Sequence, residues 1–387
     1  TSAGVSAGEL DLTVKVMLLM RAFEVRGHSL AKTDPLGLDA NETPPELSVE
    51  YYNLSPETRF SPNMLGQYGA FLGEDEMSIA ELVAKLRSIY CTTLGFEYMH
   101  IQSRDECDFI RNVIQNRSES DVFKFSKEDK VRLFDRLTWS EGFETFLGRK
   151  FGVEKRFGLD GCEALIPGMK ELIDVAAAQG VKDIVMGMPH RGRLNVLANV
   201  VRKPMEKIFR EFAGVPASST LNMGSGDVKY HLGASYTRTT KNGEEVHISL
   251  LPNPSHLETV NTVVLGKVRS KQHERLQKDR SRVMPVLLHG DAAFAGQGVV
   301  YETLHLSELP NYTVGGCVHI IVNNQVGFTT DPSDGRSSPY CTDVAKTLAI
   351  PVVHVNGDDP EAVASSMRFA ALWRAKYQRD IVIDVVC

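Results

Sequence analysis

The chain has 387 residues, 42% hydrophobic and 24% charged, an ordinary globular composition long enough for more than one hydrophobic core. A net charge of −6 argues against a general nucleic-acid binder, and no apolar run approaches the ~20 residues that span a bilayer. The six cysteines (Cys91, Cys107, Cys162, Cys317, Cys341 and Cys387) form no CxxC or CxH pairing and read as buried free thiols.

In chain order, residues 1–8 are small and lack the Arg-rich character of a transit segment. Residues 9–26 have helical periodicity, with Leu10, Val14, Met17, Leu18 and Phe23 as the expected buried stripe. Residues 27–73 are rich in Pro, Gly and Asn and predict a long irregular connection over a surface. Asp34, Asp39 and Glu42 fall there without the spacing of a calcium loop. Helical patterns resume at 78–92, 104–116, 126–137 and 140–150, and Ser78 with Glu81 forms a capping-box sequence. His100, between two of them, reads as a packed or capping histidine. Residues 1–153 are therefore expected to be a small helical region with no catalysis of its own.

Residues 154–387 have a different pattern. A Gly-rich loop, Arg156 to Gly161, opens a helix expected at 162–179, with Gly180 at its end. Short β-branched runs follow at 184–188, 246–251, 283–288, 318–322, 351–355 and 381–386. Helical segments are expected between them at 193–212, 258–278, 297–309 and 360–377. Alternating strand and helix predicts an α/β fold with a doubly wound, mainly parallel sheet, preceded by the small helical domain. Lys241-Asn242-Gly243-Glu244 predicts a hairpin that adds an antiparallel strand at 235–240. The apolar run at 381–386 reads as a buried strand, so the chain is expected to be part of a longer polypeptide.

In such sheets ligands bind beyond the carboxyl ends of the strands. Four stretches put polar groups there. Met188-Pro189-His190-Arg191-Gly192-Arg193 sets cations at a helix start, against the macrodipole, which an anionic ligand would relieve. Gly224 to Gly233 flanks Lys229, Tyr230 and His231 with glycines. Asn253-Pro254-Ser255-His256 holds His256 on a Pro-fixed corner, with Ser255 as a possible cap for the next helix. Gly290-Asp291 and Asn323-Asn324 end two strands of one βαβ unit, 324 − 291 = 33 positions apart. An Asp, an Asn and a carbonyl in the following turn are hard oxygens of the kind that hold Mg²⁺ beside phosphates. Ala292, Ala293 and Gly296 let a diphosphate approach, with the helix near Gln297 expected to point N–H groups at it.

Gly-Asp, this interval and Asn-Asn match the thiamine-diphosphate fingerprint. His-Gly-Asp-Ala-Ala-Phe-Ala-Gly-Gln-Gly (289–298) and Val-Asn-Asn-Gln-Val-Gly-Phe-Thr-Thr (322–330) resemble the decarboxylating first component of 2-oxoglutarate dehydrogenase complexes. So do the stretches at 186–200, 224–233, 253–258, 337–343 and 358–363, so the resemblance covers essentially the whole chain. The resemblance implies the thiamine-diphosphate-binding fold, with Asp291, Asn324 and the Val326 carbonyl on Mg²⁺. Arg191 and Ala292 would lie at thiamine diphosphate, and His190, His256 and His231 would handle the 2-oxo acid. It implies decarboxylation of 2-oxoglutarate and transfer of the succinyl group to a lipoyl-bearing succinyltransferase, with a dihydrolipoamide dehydrogenase as third component. It also implies a full-length homodimer in the mitochondrial matrix of a eukaryote or the cytoplasm of a bacterium. The second α/β domain of such enzymes, with the Glu that activates the cofactor, has no counterpart here, so the chain is expected to be inactive alone. Alternatives are a 2-oxoadipate dehydrogenase component, a non-catalytic metal-binding scaffold, and a metal-dependent hydrolase built on His190, His256, His289 and Asp291.

Overall fold

A computed structural model describes residues 6–38, 42–213, 228–275 and 280–387. Residue contacts divide the chain into Thr1–Lys124 and Phe125–Cys387.

In the first unit, helix α1 (Ala7–Arg26) opens on a Ser6/Glu9 capping box, and α2 (Ile79–Tyr90) on the expected Ser78/Glu81 box. Helix α3 (Arg104–Gln115) is tied to both: Arg111 Nε donates to Glu24 Oε1 at 2.8 Å, and Gln115 Nε2 to the Tyr90 hydroxyl at 2.9 Å. The buried face of α1 is Val16, Leu19, Met20 and Phe23. Of the expected stripe only Phe23 is buried, and Leu10 is 59% exposed. Apolar residues lie nearly all round α1, so periodicity alone allowed two faces. Among the described residues of 27–73, short 3₁₀ segments at Gly27–Leu30, Pro45–Leu47 and Glu50–Tyr52 and a longer, kinked one at Pro62–Leu72 alternate with irregular chain. The Asp34 carboxylate accepts from the Leu36 N–H at 2.8 Å, closing a local turn, while Asp39 lies outside the described residues.

The second unit begins with α4 (Lys127–Lys150), capped by Ser126 and Asp129. It is one continuous helix where two were expected, because nothing between residues 137 and 140 breaks a helix. Helix α5 (Leu165–Ala178) packs against α4, and Gly180, at φ +96°, turns the chain after it. Among the described residues seven strands then follow: β1 (Asp183–Gly187), β2 (Ala234–Thr239), β3 (Glu245–Leu250), β4 (Val283–Gly290), β5 (Val318–Asn323), β6 (Val352–Asn356) and β7 (Ile381–Val386). Within this unit their spatial order is β6-β7-β5-β4-β1-β3-β2. All neighbours are parallel except the β2/β3 hairpin. The connection from β1 to β3 moves to one side, and that from β3 to β4 returns past β1 to the other. The winding therefore reverses between β1 and β4, where an open sheet leaves a crevice at its carboxyl edge.

The helices between strands cover the sheet on apolar contacts. Val260, Val264 and Val268 of α7 (Val260–Glu274) pack on Val185, Val283 and Leu287, each fully buried aliphatic contributing about 1.5–3 kcal/mol. Two helical expectations change. Residues 193–212 are not one helix. A short turn (Arg193–Asn195) and a π turn (Val196–Val200) end before Pro204, and α6 (Met205–Phe212) starts after it. The segment expected at 297–309 begins earlier, as α8 (Asp291–Gly296) directly after β4 and α9 (Gly298–His305), with Gln297 extended between them. The last helix, α10 (Pro360–Tyr377), packs against α5. No helix among the described residues is long and apolar enough to cross a membrane.

Candidate active site

The sheet brings the separated polar stretches onto one edge. Strands β5, β4, β1 and β3 are adjacent and parallel, so Asn324, Asp291, His190 with Arg191, and His256 all follow carboxyl ends. Asp291 and His190 flank the point where the winding reverses.

Gly290 is opposite Val322 in the β4/β5 register, so Asp291 and Asn324 start neighbouring turns. Those turns touch: a β-carbon built on Gly327 would lie 2.9 Å from that of Ala292. Asp291 is 2% exposed, and burial, only partly offset by Arg336 and the Ala292 N–H, pushes its carboxyl up to about 6. Its nearest cation is Arg336 Nη1 at 3.7 Å, and Arg336 Nε is buried with no acceptor. The two asparagines differ in role. Asn323 donates from Nδ2 to Asp384 Oδ1 at 3.0 Å and accepts the Gln325 N–H at 3.0 Å, which fixes the turn. Asn324 is half-buried and its side chain has no partner among the described residues. Val326 follows it, also half-buried. The helix N-terminus at this edge is that of α8, at Asp291 itself, and not one near Gln297. Gly290, Gly296 and Gly298 have open space where a β-carbon would be. A buried carboxylate, a free amide oxygen and an unsatisfied guanidinium N–H together suit a hard cation and an anion side by side.

On the other side of the switch point, the His190 ring lies 4.1 Å from that of Phe157, and Phe157 meets Tyr230 at 5.1 Å. Burial first, then Arg191 and His231, hold the His190 imidazole below its ordinary value, so it is neutral at pH 7. His231 Nε2 and the Ser255 hydroxyl are 3.0 Å apart. Ser255 thus serves His231 and does not cap α7, whose N-cap is Thr259. His256 is exposed at its corner, and its side chain has no partner among the described residues. Gly224 to Asp227 lie outside the described residues.

Arg191 and Arg193 separate. Gly192 stands between them at φ +71°, and a β-carbon there would meet Leu159 at 2.3 Å, so only glycine fits. Arg191 remains half-buried, with Nη1 3.4 Å from the Gly158 carbonyl and 3.5 Å from Asp160. Arg193 is fully buried and donates to the carbonyls of Met188 (2.8 Å), Leu232 (3.1 Å), His231 (3.3 Å) and Leu251. It ties the loops after β1 and β3 together, and so leaves the cationic group expected at 190–193.

Sequence reasoning missed Phe157 and Arg336 as neighbours of the site, and missed a buried polar row. Glu258 Oε2 meets His289 Nδ1 at 2.6 Å, His289 Nε2 meets His319 Nδ1 at 3.1 Å, and His319 Nε2 meets Asp380 Oδ2 at 3.2 Å. His289 is therefore committed to the interior. Among the described residues no three His, Cys, Asp or Glu side chains converge as a metal site, so the hydrolase arrangement of His190, His256, His289 and Asp291 is not assembled.

The family description "Dehydrogenase E1 component" matches residues 135–387. The chain is 51% identical to the mitochondrial 2-oxoglutarate dehydrogenase of Dictyostelium discoideum over all of its length, and 48% identical to that of Saccharomyces cerevisiae over 97%. It is 47% identical to a mitochondrial 2-oxoglutarate dehydrogenase-like protein of Rattus norvegicus over 96%. The chain spans 37–38% of the length of these relatives.

Proposed function

The chain belongs to the dehydrogenase E1 component family, and on that premise we propose that it forms the diphosphate-holding half of a 2-oxoglutarate dehydrogenase. That component decarboxylates 2-oxoglutarate with thiamine diphosphate and Mg²⁺. Asp291, the side-chain oxygen of Asn324 and the carbonyl of Val326 would hold the metal, a few protein oxygens completed by phosphate and water. Arg191 and the backbone at Ala292 would face the diphosphate. The unpartnered Asn324 amide, the orphaned Arg336 Nε and the open space beside Gly290 and Gly296 support that fit.

When bound, thiamine diphosphate supplies the electron sink for loss of CO₂. The chain's own residues would do the rest. His190, kept neutral by its surroundings, can hold a hydrogen bond to the 2-oxo acid or exchange a proton with it. His256, without a partner on its corner, and His231, anchored by Ser255, would complete the proton-handling set. The substrate is a dianion, and Arg191 with these rings would supply the positive charge and donors that it needs away from water. Through the family we further propose transfer of the succinyl group to a lipoyl-bearing succinyltransferase, regeneration by a dihydrolipoamide dehydrogenase, a full-length homodimer and a mitochondrial address. The named relatives support the address.

The observation that carries this reading is the pair of touching turns that set Asp291 and Asn324 on neighbouring strand ends. The test is a calorimetric titration of thiamine diphosphate at saturating Mg²⁺. Wild type is expected to bind in a Mg²⁺-dependent way and Asp291→Ala to lose that dependence. Equal binding by the two proteins would remove the basis of the assignment. We further propose that these 387 residues by themselves turn over little 2-oxoglutarate, since they span only 37–38% of the length of the relatives; 2-oxoglutarate-dependent ferricyanide reduction tests it.

A further inference from the structure

A cluster of cations lies at the opposite edge of the sheet. A cavity of about 330 Å³ opens between α4, α5 and the tip of the β2/β3 hairpin. Its lining carries six cations: Arg132, Arg136, Lys170, Arg202, Arg238 and Lys241. Only two carboxylates share it, and both are already engaged. Asp174 is held through both oxygens by Arg238 at 2.7 and 2.8 Å, and Glu171 accepts from Arg368 Nε at 2.9 Å. Arg132 and Lys241 are drawn to Asp129, and Arg136 to the exposed Asp135. Lys170 and Arg202 have no ion pair or hydrogen bond among the described residues.

Lys170 is the informative one. It is only 6% exposed, it lines the cavity, and its ammonium has no ion pair or hydrogen bond among the described residues. An isolated buried ammonium is among the most expensive groups a fold can carry, and is normally paired. We propose that this cavity is a binding site for a small phosphate-bearing anion, with Lys170 as its central ligand and Arg202 and Arg136 at its mouth. Arginine forks match phosphate oxygens in pairs, while lysine supplies a point charge. The volume holds roughly ten waters at about 30 Å³ each, or a phosphorylated small molecule.

The site is separate from the diphosphate half of the active site. Thr239 pairs with Glu245 at the start of β3, and β3 runs parallel to β1 toward the carboxyl edge. The six residues of β3 put the two edges about 17 Å apart, at ~3.3 Å per step. Burial first, then Arg136, Arg202 and Arg238, bring the Lys170 ammonium down to about 7, with Asp174 acting the other way. An arriving anion would restore the charge, so binding at pH 8 should take up a proton.

The experiment is calorimetry of the full chain with inorganic phosphate at constant ionic strength, with Mg²⁺ and thiamine diphosphate saturating. Wild type is expected to show one saturable site, with heats at pH 8 that depend on buffer ionisation enthalpy. Lys170→Met should bind at least about tenfold more weakly and, phosphate-free, melt at a higher temperature, because an uncompensated buried charge is gone. Arg202→Ser, at an exposed position, should weaken binding with no change in melting temperature. Citrate in a parallel titration separates phosphate from carboxylate recognition: saturable citrate binding without phosphate binding overturns the proposal. It is overturned equally by the absence of saturable phosphate binding, by unchanged affinity in both variants, or by a phosphate site that disappears in Asp291→Ala.

Discussion

The contact between Gly327 and Ala292 lets the proposed two-turn metal grip be tested without touching a side chain proposed as a ligand. A methyl group added at Gly327 would sit 2.9 Å from the Ala292 β-carbon, and both are fixed to backbone. Carbon atoms settle at about 3.5–4.0 Å, so Gly327→Ala must part the turns by roughly 0.6–1 Å. Overpacking of this size costs about 1–3 kcal/mol. Mg²⁺ demands near-octahedral bonds of about 2.1 Å, so a shift of this order is enough to pull one protein oxygen out of reach. Mg²⁺-dependent thiamine diphosphate binding should then weaken by at least about tenfold, roughly 1.4 kcal/mol. The double variant Ala292→Gly with Gly327→Ala removes the opposing methyl and should recover most of the loss. Ala292→Gly alone measures any contact of its own with the cofactor. Calorimetry on the four proteins closes the cycle. Full affinity in Gly327→Ala, with an unchanged melting temperature, would refute the idea that the touching turns set the spacing of the two ligands.

Two further outcomes follow from residues away from the ligands. Arg193→Lys keeps the charge but cannot span four carbonyls, and leaving two of them without donors costs about 2–6 kcal/mol. The melting temperature followed by circular dichroism should fall by roughly 4–11 °C, and a change within error would show that Arg193 does not hold the loops. For Asp129, burial is outweighed by the Ser126 N–H, Lys241 and Arg132, which bring its carboxyl down to about 2 from an ordinary 3.8. A depressed carboxylate contributes stability that is present above the unfolded value and lost as pH falls through the folded one. The melting difference between wild type and Asp129→Asn should therefore be largest above pH 4 and shrink toward pH 2, and a difference that grows on acidification would contradict the assignment.

The strands were legible because each is a β-branched run closed by Gly, Asn or a polar turn, and their carboxyl ends are where the candidate residues were expected. What periodicity could not decide was orientation. In His190-Arg191-Gly192-Arg193 two identical side chains flank a left-handed glycine, and only the fold shows that one stays half-buried beside Asp160 and the other is fully buried. The same holds for α1, where Leu10 and Leu19 are equally apolar and one is out and the other in. Pro204 was a readable stop signal inside the segment expected at 193–212. Arg336 stands in a turn with no pattern around it. The buried polar row joins residues 31, 30 and 61 positions apart in sequence, a relation no local motif encodes.

That row constrains where a proton can reside. Three contacts in line need three hydrogens, and two neutral imidazoles carry one each. For all three contacts to be hydrogen bonds the row must hold a third hydrogen. Burial disfavours the cationic form of His289. Moving the retained hydrogen from the Glu258 end to the Asp380 end would reverse the direction of every bond between them. The polarity of the β4 and β5 interior is thus a property of the whole row, set or switched as a unit.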